Sequence, residues 1–70
     1  MKKSGLVKEI RNAAKAQGLS FDLDRQGASH EIWICGDTKV PMPRHTEITA
    51  TTERLIRKQL EDAFGKDWWR

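Results

Sequence analysis

The chain has 70 residues, 37% hydrophobic and 33% charged, with a formal net charge of +3. That apolar share is too high for a disordered chain, and no run approaches the ~18 apolar residues of a membrane-spanning helix, so a soluble protein without a membrane partner is expected. One small domain over residues 1–70 is expected, because a chain of this length buries only about 60% of its unfolded surface and has no room for a deep enclosed cavity.

The first element is a helix. Ser4 is a candidate N-cap, Leu6, Ile10, Ala13 and Gln17 recur at helical spacing with Val7 and Ala14 beside them, and Gly18 is a natural stop. Its other face holds Lys8, Arg11 and Lys15, a cationic stripe. Acidic and basic residues interrupt the segment after the basic start, so it lacks the apolar region of a signal peptide and a cytoplasmic location is expected.

From Leu19 the period changes to two: Leu19, Phe21 and Leu23 alternate with Ser20, Asp22 and Asp24, as in a strand with one buried face. Gln26-Gly27-Ala28 reads as a turn. A second strand runs from Ser29 to Cys35, with Ile32 and Ile34 expected to face the helices and Glu31, Trp33 and Cys35 to lie on the bare side. Gly36-Asp37 is the next turn signal, and Lys39 to Met42 is a short third strand whose two prolines place it at an edge or end it early. A second helix begins near Thr49 to Thr52, buries Ile56, Leu60 and Ala63 with Leu55 and Phe64 at the margins, and exposes Arg54, Arg57, Lys58 and Glu61 before Gly65 ends it. Trp68 and Trp69 are expected to pack against the helix ends. The order α-β-β-β-α gives an α+β domain: a three-stranded antiparallel sheet with two helices on one face, the order of the double-stranded-RNA-binding fold.

Charge is distributed in blocks. Residues 1–18 carry five Lys/Arg against one Glu, and residues 38–58 carry five against two, while the segments between and after them are net acidic. If the two basic blocks meet in the fold they favour a polyanion. Cys35 is the only cysteine and can form neither an internal disulfide nor a Cys-rich metal site; it reads as a structural thiol. The two histidines, His30 and His45, follow no short metal-ligand spacing, so no metal and no cofactor are expected.

The stretches "RQGASHEIW" and "VPMPRHTEI", followed by a helix of the type "TERLIRKQL", resemble the HicA toxins of bacterial type II toxin–antitoxin systems. The matching motifs are Ala28-Ser29-His30, against a Gly-Ser-His signature, and Pro43-Arg44-His45. Their order and spacing, Trp33 three residues after His30, and the total length carry the resemblance from the first helix through Leu60. It implies the double-stranded-RNA-binding-like fold and an mRNA interferase, an endoribonuclease that halts growth. It further implies a HicB-type antitoxin as partner, operator DNA being reached only through that antitoxin. Ala28 stands where the family usually has glycine; a left-handed conformation there would strain alanine by about 1 kcal/mol, so Gly27 is expected to adopt it instead.

By resemblance His30 is the catalytic residue. The chemistry fits independently: imidazole takes and gives protons near neutral pH, and RNA supplies its own 2′-OH as nucleophile once a base removes that proton. His45 is either a second proton shuttle, protonating the leaving 5′-oxygen, or a structural link from strand to helix. Arg44 suits the scissile phosphate. Ser29 reads as a turn former whose hydroxyl can also bond phosphate. Lys8, Arg11, Lys15 and Lys39 are candidate backbone contacts, and Trp33 on a bare face would stack on a base or meet the antitoxin. Two other readings stay open. One is a non-catalytic double-stranded-RNA-binding module, which would need a lysine cluster where this chain has "TATTERL"; the other is a small protein-interaction domain built on the tryptophans.

Overall fold

The computed structural model describes residues 1–27, 30–66 and 68–69. Its elements are α1 (Lys3–Ala16), β1 (Phe21–Gln26), β2 (His30–Cys35), β3 (Thr38–Pro43), α2 (Ala50–Gln59) and a single turn, α3 (Glu61–Phe64). The strands form one antiparallel sheet in the order β1-β2-β3. The α+β class and the α-β-β-β-α order agree with the sequence reading. Among the described residues no helix is long and apolar enough to cross a membrane.

The start of α1 differs from expectation. Ser4 lies inside the helix and Lys2 is the N-cap, without a side-chain capping bond. A tertiary contact replaces the cap: Lys2 pairs with Glu47 in an isolated antiparallel bridge, and the Lys3 N–H donates to the Thr46 carbonyl at 2.8 Å. The segment before α2 thereby satisfies a backbone donor that the first helical turn cannot satisfy internally. At α2 the cap is local, as Thr49 Oγ1 accepts from the Thr52 N–H at 3.2 Å. Gly65, with a φ of 99°, ends α3.

Directly opposed residues of an antiparallel pair share one face of the sheet. The register Phe21↔Cys35, Leu23↔Trp33, Trp33↔Val40 and Glu31↔Met42 therefore gathers Phe21, Trp33, Cys35, Val40 and Met42 on one side. All five are buried, in one core with Leu6, Val7, Ile10 and Ala14 of α1, Ile48, Ile56 and Leu60 of the α2 region, and Phe64. This reverses the expected orientation of β2. Trp33, only 8% exposed, faces the helices, while Ile32 and Ile34 are the partly covered residues of the open side.

On β1 only Phe21 is buried, and Leu23 is 42% exposed. The register slips between Leu23 and Arg25, where Asp24 is the extra residue of a bulge, and this turns the outer half of an edge strand away from the helices. β3 is the other edge and carries Pro41 and Pro43, as the missing N–H of proline requires.

Arg57 of α2 is a further correction. Expected on the wet side, it is buried, and its guanidinium bonds Glu9 of α1 and, at 2.8 Å, Glu53 of α2. The two tryptophans of the tail flank it, their ring centres 5.9 and 5.8 Å from the guanidinium carbon. Trp68 also meets Phe64 edge-on at 4.8 Å and donates its indole N–H to the Arg57 carbonyl at 2.9 Å, so it packs against the helix ends as expected. Leu55 is 59% exposed and adds nothing to the core.

Candidate functional site

The two basic blocks meet. Because α1 starts beside the Thr46–Ile48 segment, its exposed stripe runs along the Arg44–Glu47 stretch that links β3 to α2. Between them lies an open groove of about 770 Å³ lined by Lys2, Lys3, Ser4, Val7, Lys8, Arg11 and Asn12 on the helix side and by Arg44, His45, Thr46 and Glu47 on the other. Five of these residues are cations and one, Glu47, is acidic. With the α-amino group 3.8 Å from Glu47 drawing on that carboxylate, the groove presents a strongly positive surface.

Arg11 and Lys3 are among the groove cations held in place by contacts. Arg11 donates from Nε to the Phe21 carbonyl at 3.1 Å and lays its guanidinium over the Trp33 ring, 5.4 Å from the ring centre. Trp33 in turn stacks on Phe21 at 4.9 Å with the planes 19° apart. An arginine held this way loses less freedom when it takes up an anion than an unsupported lysine.

Lys3 is held as well. Its ammonium bonds the Glu31 carboxylate, which also accepts the Trp33 indole N–H at 3.0 Å. Both ion-pair members are largely covered, with side chains 17% and 13% exposed. The Lys3 and Trp33 hydrogen bonds hold the Glu31 carboxyl below its ordinary range, aided by the positive charges of Lys3 and Arg44 and opposed by burial.

Arg44 connects the groove to the β1–β2 hairpin. Its Nη1 makes a long contact, 3.5 Å, with the Gly27 carbonyl, and the Gly27 N–H donates to the His30 carbonyl at 2.7 Å. The peptide units on either side of Gly27 thus stand between a groove arginine and the first residue of β2. Gly27 is not among the glycines with positive φ, so the expected left-handed conformation is absent. What requires glycine is close approach: a Cβ there would sit 3.0 Å from the His30 carbonyl oxygen.

His30 is exposed and, sharing the parity of Ile32 and Ile34, belongs to the open side of the sheet opposite Pro43. The expected placement of Ile32 and Ile34 under the helices extends by alternation to His30 and fails with the reversal of β2. The groove itself is lined by the other histidine, His45.

Of the candidate residues, the fold brings Lys8, Arg11, Arg44 and His45 together and links the His30 backbone to Arg44 through Gly27, the His30 side chain lying on the open side of the sheet. It leaves out Lys15, in the last turn of α1, and Lys39, which faces outward opposite Ile34. Trp33 is core, covered by Arg11, and is not a stacking platform. Ala28 and Ser29 lie outside the described residues.

Cys35 is fully buried and burial pushes its thiol up, which keeps it protonated and unreactive. Among the described residues no group of three or more His, Cys, Asp or Glu side chains is arranged to hold a metal ion. Lys2, Lys3 and Glu31 were not legible as site residues. The lysines sat in a basic block with no partner visible, and Glu31 had only its strand parity, read with the wrong sign.

The chain matches no protein-family model, no curated protein and no solved structure.

Proposed function

We propose that the protein is a small endoribonuclease of the HicA type, with a double-stranded-RNA-binding-like fold, that binds mRNA along the cationic groove and cleaves it with His30 and His45. The observation that supports this reading is the backbone link across Gly27, whose carbonyl contacts Arg44 of a groove walled by five cations and whose N–H donates to the His30 carbonyl. The α-β-β-β-α order and a resemblance through Ala28-Ser29-His30 and Pro43-Arg44-His45 support the same reading.

In this mechanism the phosphate backbone lies against Lys8, Arg11 and Arg44, and binding weakens with salt. Where the strand passes from the groove around the end of β2 toward the open side of the sheet, His30 takes the proton of a ribose 2′-OH, whose oxygen then attacks the adjacent phosphorus. The P–O bond to the 5′-oxygen of the next nucleotide breaks, and that oxygen leaves with a proton from His45, giving a 2′,3′-cyclic phosphate and a 5′-hydroxyl. Arg44 stabilises the charge that builds on the phosphoryl oxygens. No protein nucleophile is used. As a toxin it would act in the cytoplasm and be held in check by a HicB-type antitoxin, with operator DNA contacted only by that partner.

The test is incubation of the protein with long single-stranded RNA in EDTA, beside His30→Ala and His45→Ala. Fragments from the native protein, none from His30→Ala and a large slowing in His45→Ala are expected. A folded native protein that binds RNA and leaves it intact overturns the catalytic reading in favour of a binding module.

A further inference from the structure

We propose that Glu31 is the resident counter-ion of the groove: its carboxylate neutralises Lys3 from below, so that Glu31 sets the affinity and salt dependence with which the groove takes a polyanion. This rests on the groove being the polyanion surface. Glu31 stands outside the reacting groups: its side chain points to the helix side while that of His30, its neighbour in sequence, points to the other.

The geometry is specific. Glu31 is in contact with residues of the groove wall: it bonds Lys3 directly and accepts from the indole of Trp33, on whose ring Arg11 rests. Lys3, Arg11 and Arg44 all line the groove. The carboxyl is held ionised by these neighbours, its proton affinity lowered chiefly by the Lys3 and Trp33 hydrogen bonds, with the charge of Arg44 adding to the effect. A carboxylate that satisfies Lys3 occupies the role a phosphate oxygen would otherwise take. An incoming strand therefore competes with Glu31 for Lys3, and one of the five cations contributes little to the groove's field.

The consequence is a signed prediction. Glu31→Gln keeps an oxygen that can accept the Trp33 indole N–H but removes the charge, which releases Lys3 to the groove. One further phosphate contact to a single strand steepens the dependence of log K on log salt by about 0.7, equivalent to about fivefold tighter binding at ~0.1 M salt. Lys3→Met, which uncovers the Glu31 charge, weakens binding. The double variant K3M/E31Q carries neither charge and returns to the native affinity and slope.

The probe is a short single-stranded deoxyribonucleotide, which lacks the 2′-OH and stays intact, titrated by fluorescence anisotropy across a salt series. Lys8→Met reports on the groove itself and is expected to weaken binding. If Lys8→Met weakens binding but E31Q leaves it unchanged or weaker, or if the double variant behaves as K3M, the counter-ion role is overturned while the groove stands. If Lys8→Met has no effect, the groove reading falls and this proposal with it. Should E31Q fail to fold by circular dichroism, Glu31→Asp, whose shorter carboxylate draws back from Lys3, must steepen the slope by a smaller amount. An unchanged slope there also overturns the proposal.

Discussion

Replacing Trp33 by alanine distinguishes a core residue from a surface platform. Trp33 is 8% exposed, stacks on Phe21, donates its indole N–H to Glu31 and supports Arg11. Removing a buried aromatic of this size costs about 3 to 5 kcal/mol, since the transfer term, the cavity and the lost ring pair all act together. A chain of this length is expected to have a total stability of about 3.5 to 10 kcal/mol, so Trp33→Ala removes a third to all of it. In urea, with a slope on the order of 1 kcal/mol per molar, the midpoint falls by roughly 3 M or the variant is unfolded at the outset. The assay is a urea titration followed by far-ultraviolet circular dichroism. A folded Trp33→Ala with the native midpoint and a selective loss of RNA binding would refute this placement, because that is the signature of an exposed stacking residue.

Other consequences follow from the same contacts. Gly27→Ala puts a Cβ 3.0 Å from the His30 carbonyl and is expected to cost about 1 kcal/mol while shifting the His30 amide resonance; a native urea midpoint together with an unmoved His30 resonance would contradict it. Arg57→Met leaves Glu9 and Glu53 without their partner, but Glu9 is 46% exposed and relaxes into water, so the loss is discounted to about 1 to 2 kcal/mol, or roughly 4 to 16 °C in Tm. The Glu31 carboxyl has its pKa lowered on folding, so its contribution to stability is present above the carboxyl's unfolded pKa and is lost as pH falls through the lower folded value. Acid unfolding of Glu31→Gln is accordingly expected to be less steep than that of the native protein in that window, and parallel curves would argue that the pair carries no net stabilisation.

The elements were legible because they rest on local rules. The period-two run after Leu19, the Gly36-Asp37 turn, the Thr49 cap and the Gly65 stop all act within a few residues. Faces were not legible, because they depend on register across strands. In "HEIWIC" the two isoleucines and the Trp-Cys pair make equally apolar stripes, and only the alignment of Trp33 with Val40 and of Cys35 with Phe21 decides which is buried. Glu31 shares the Trp33 side and is covered there because Lys3 comes from a helix 28 residues away to neutralise it.

Arg57 misled for the same reason, its partner Glu9 being 48 residues distant. At the site, composition showed two basic blocks, and the fold joins them through the Lys2–Glu47 bridge, a pairing with no sequence signature. Lys15 and Lys39 belong to those blocks by count alone and fall outside the groove.

The central claim is cleavage of RNA by its own 2′-OH under histidine control, and the chemistry of the product ends tests it most directly. RNA treated with the protein in EDTA is expected to yield fragments with 2′,3′-cyclic phosphate and 5′-hydroxyl termini, while the same sequence carrying 2′-O-methyl groups is bound and left whole. Fragments ending in 5′-phosphate, or cleavage of the 2′-O-methyl strand, would contradict the mechanism.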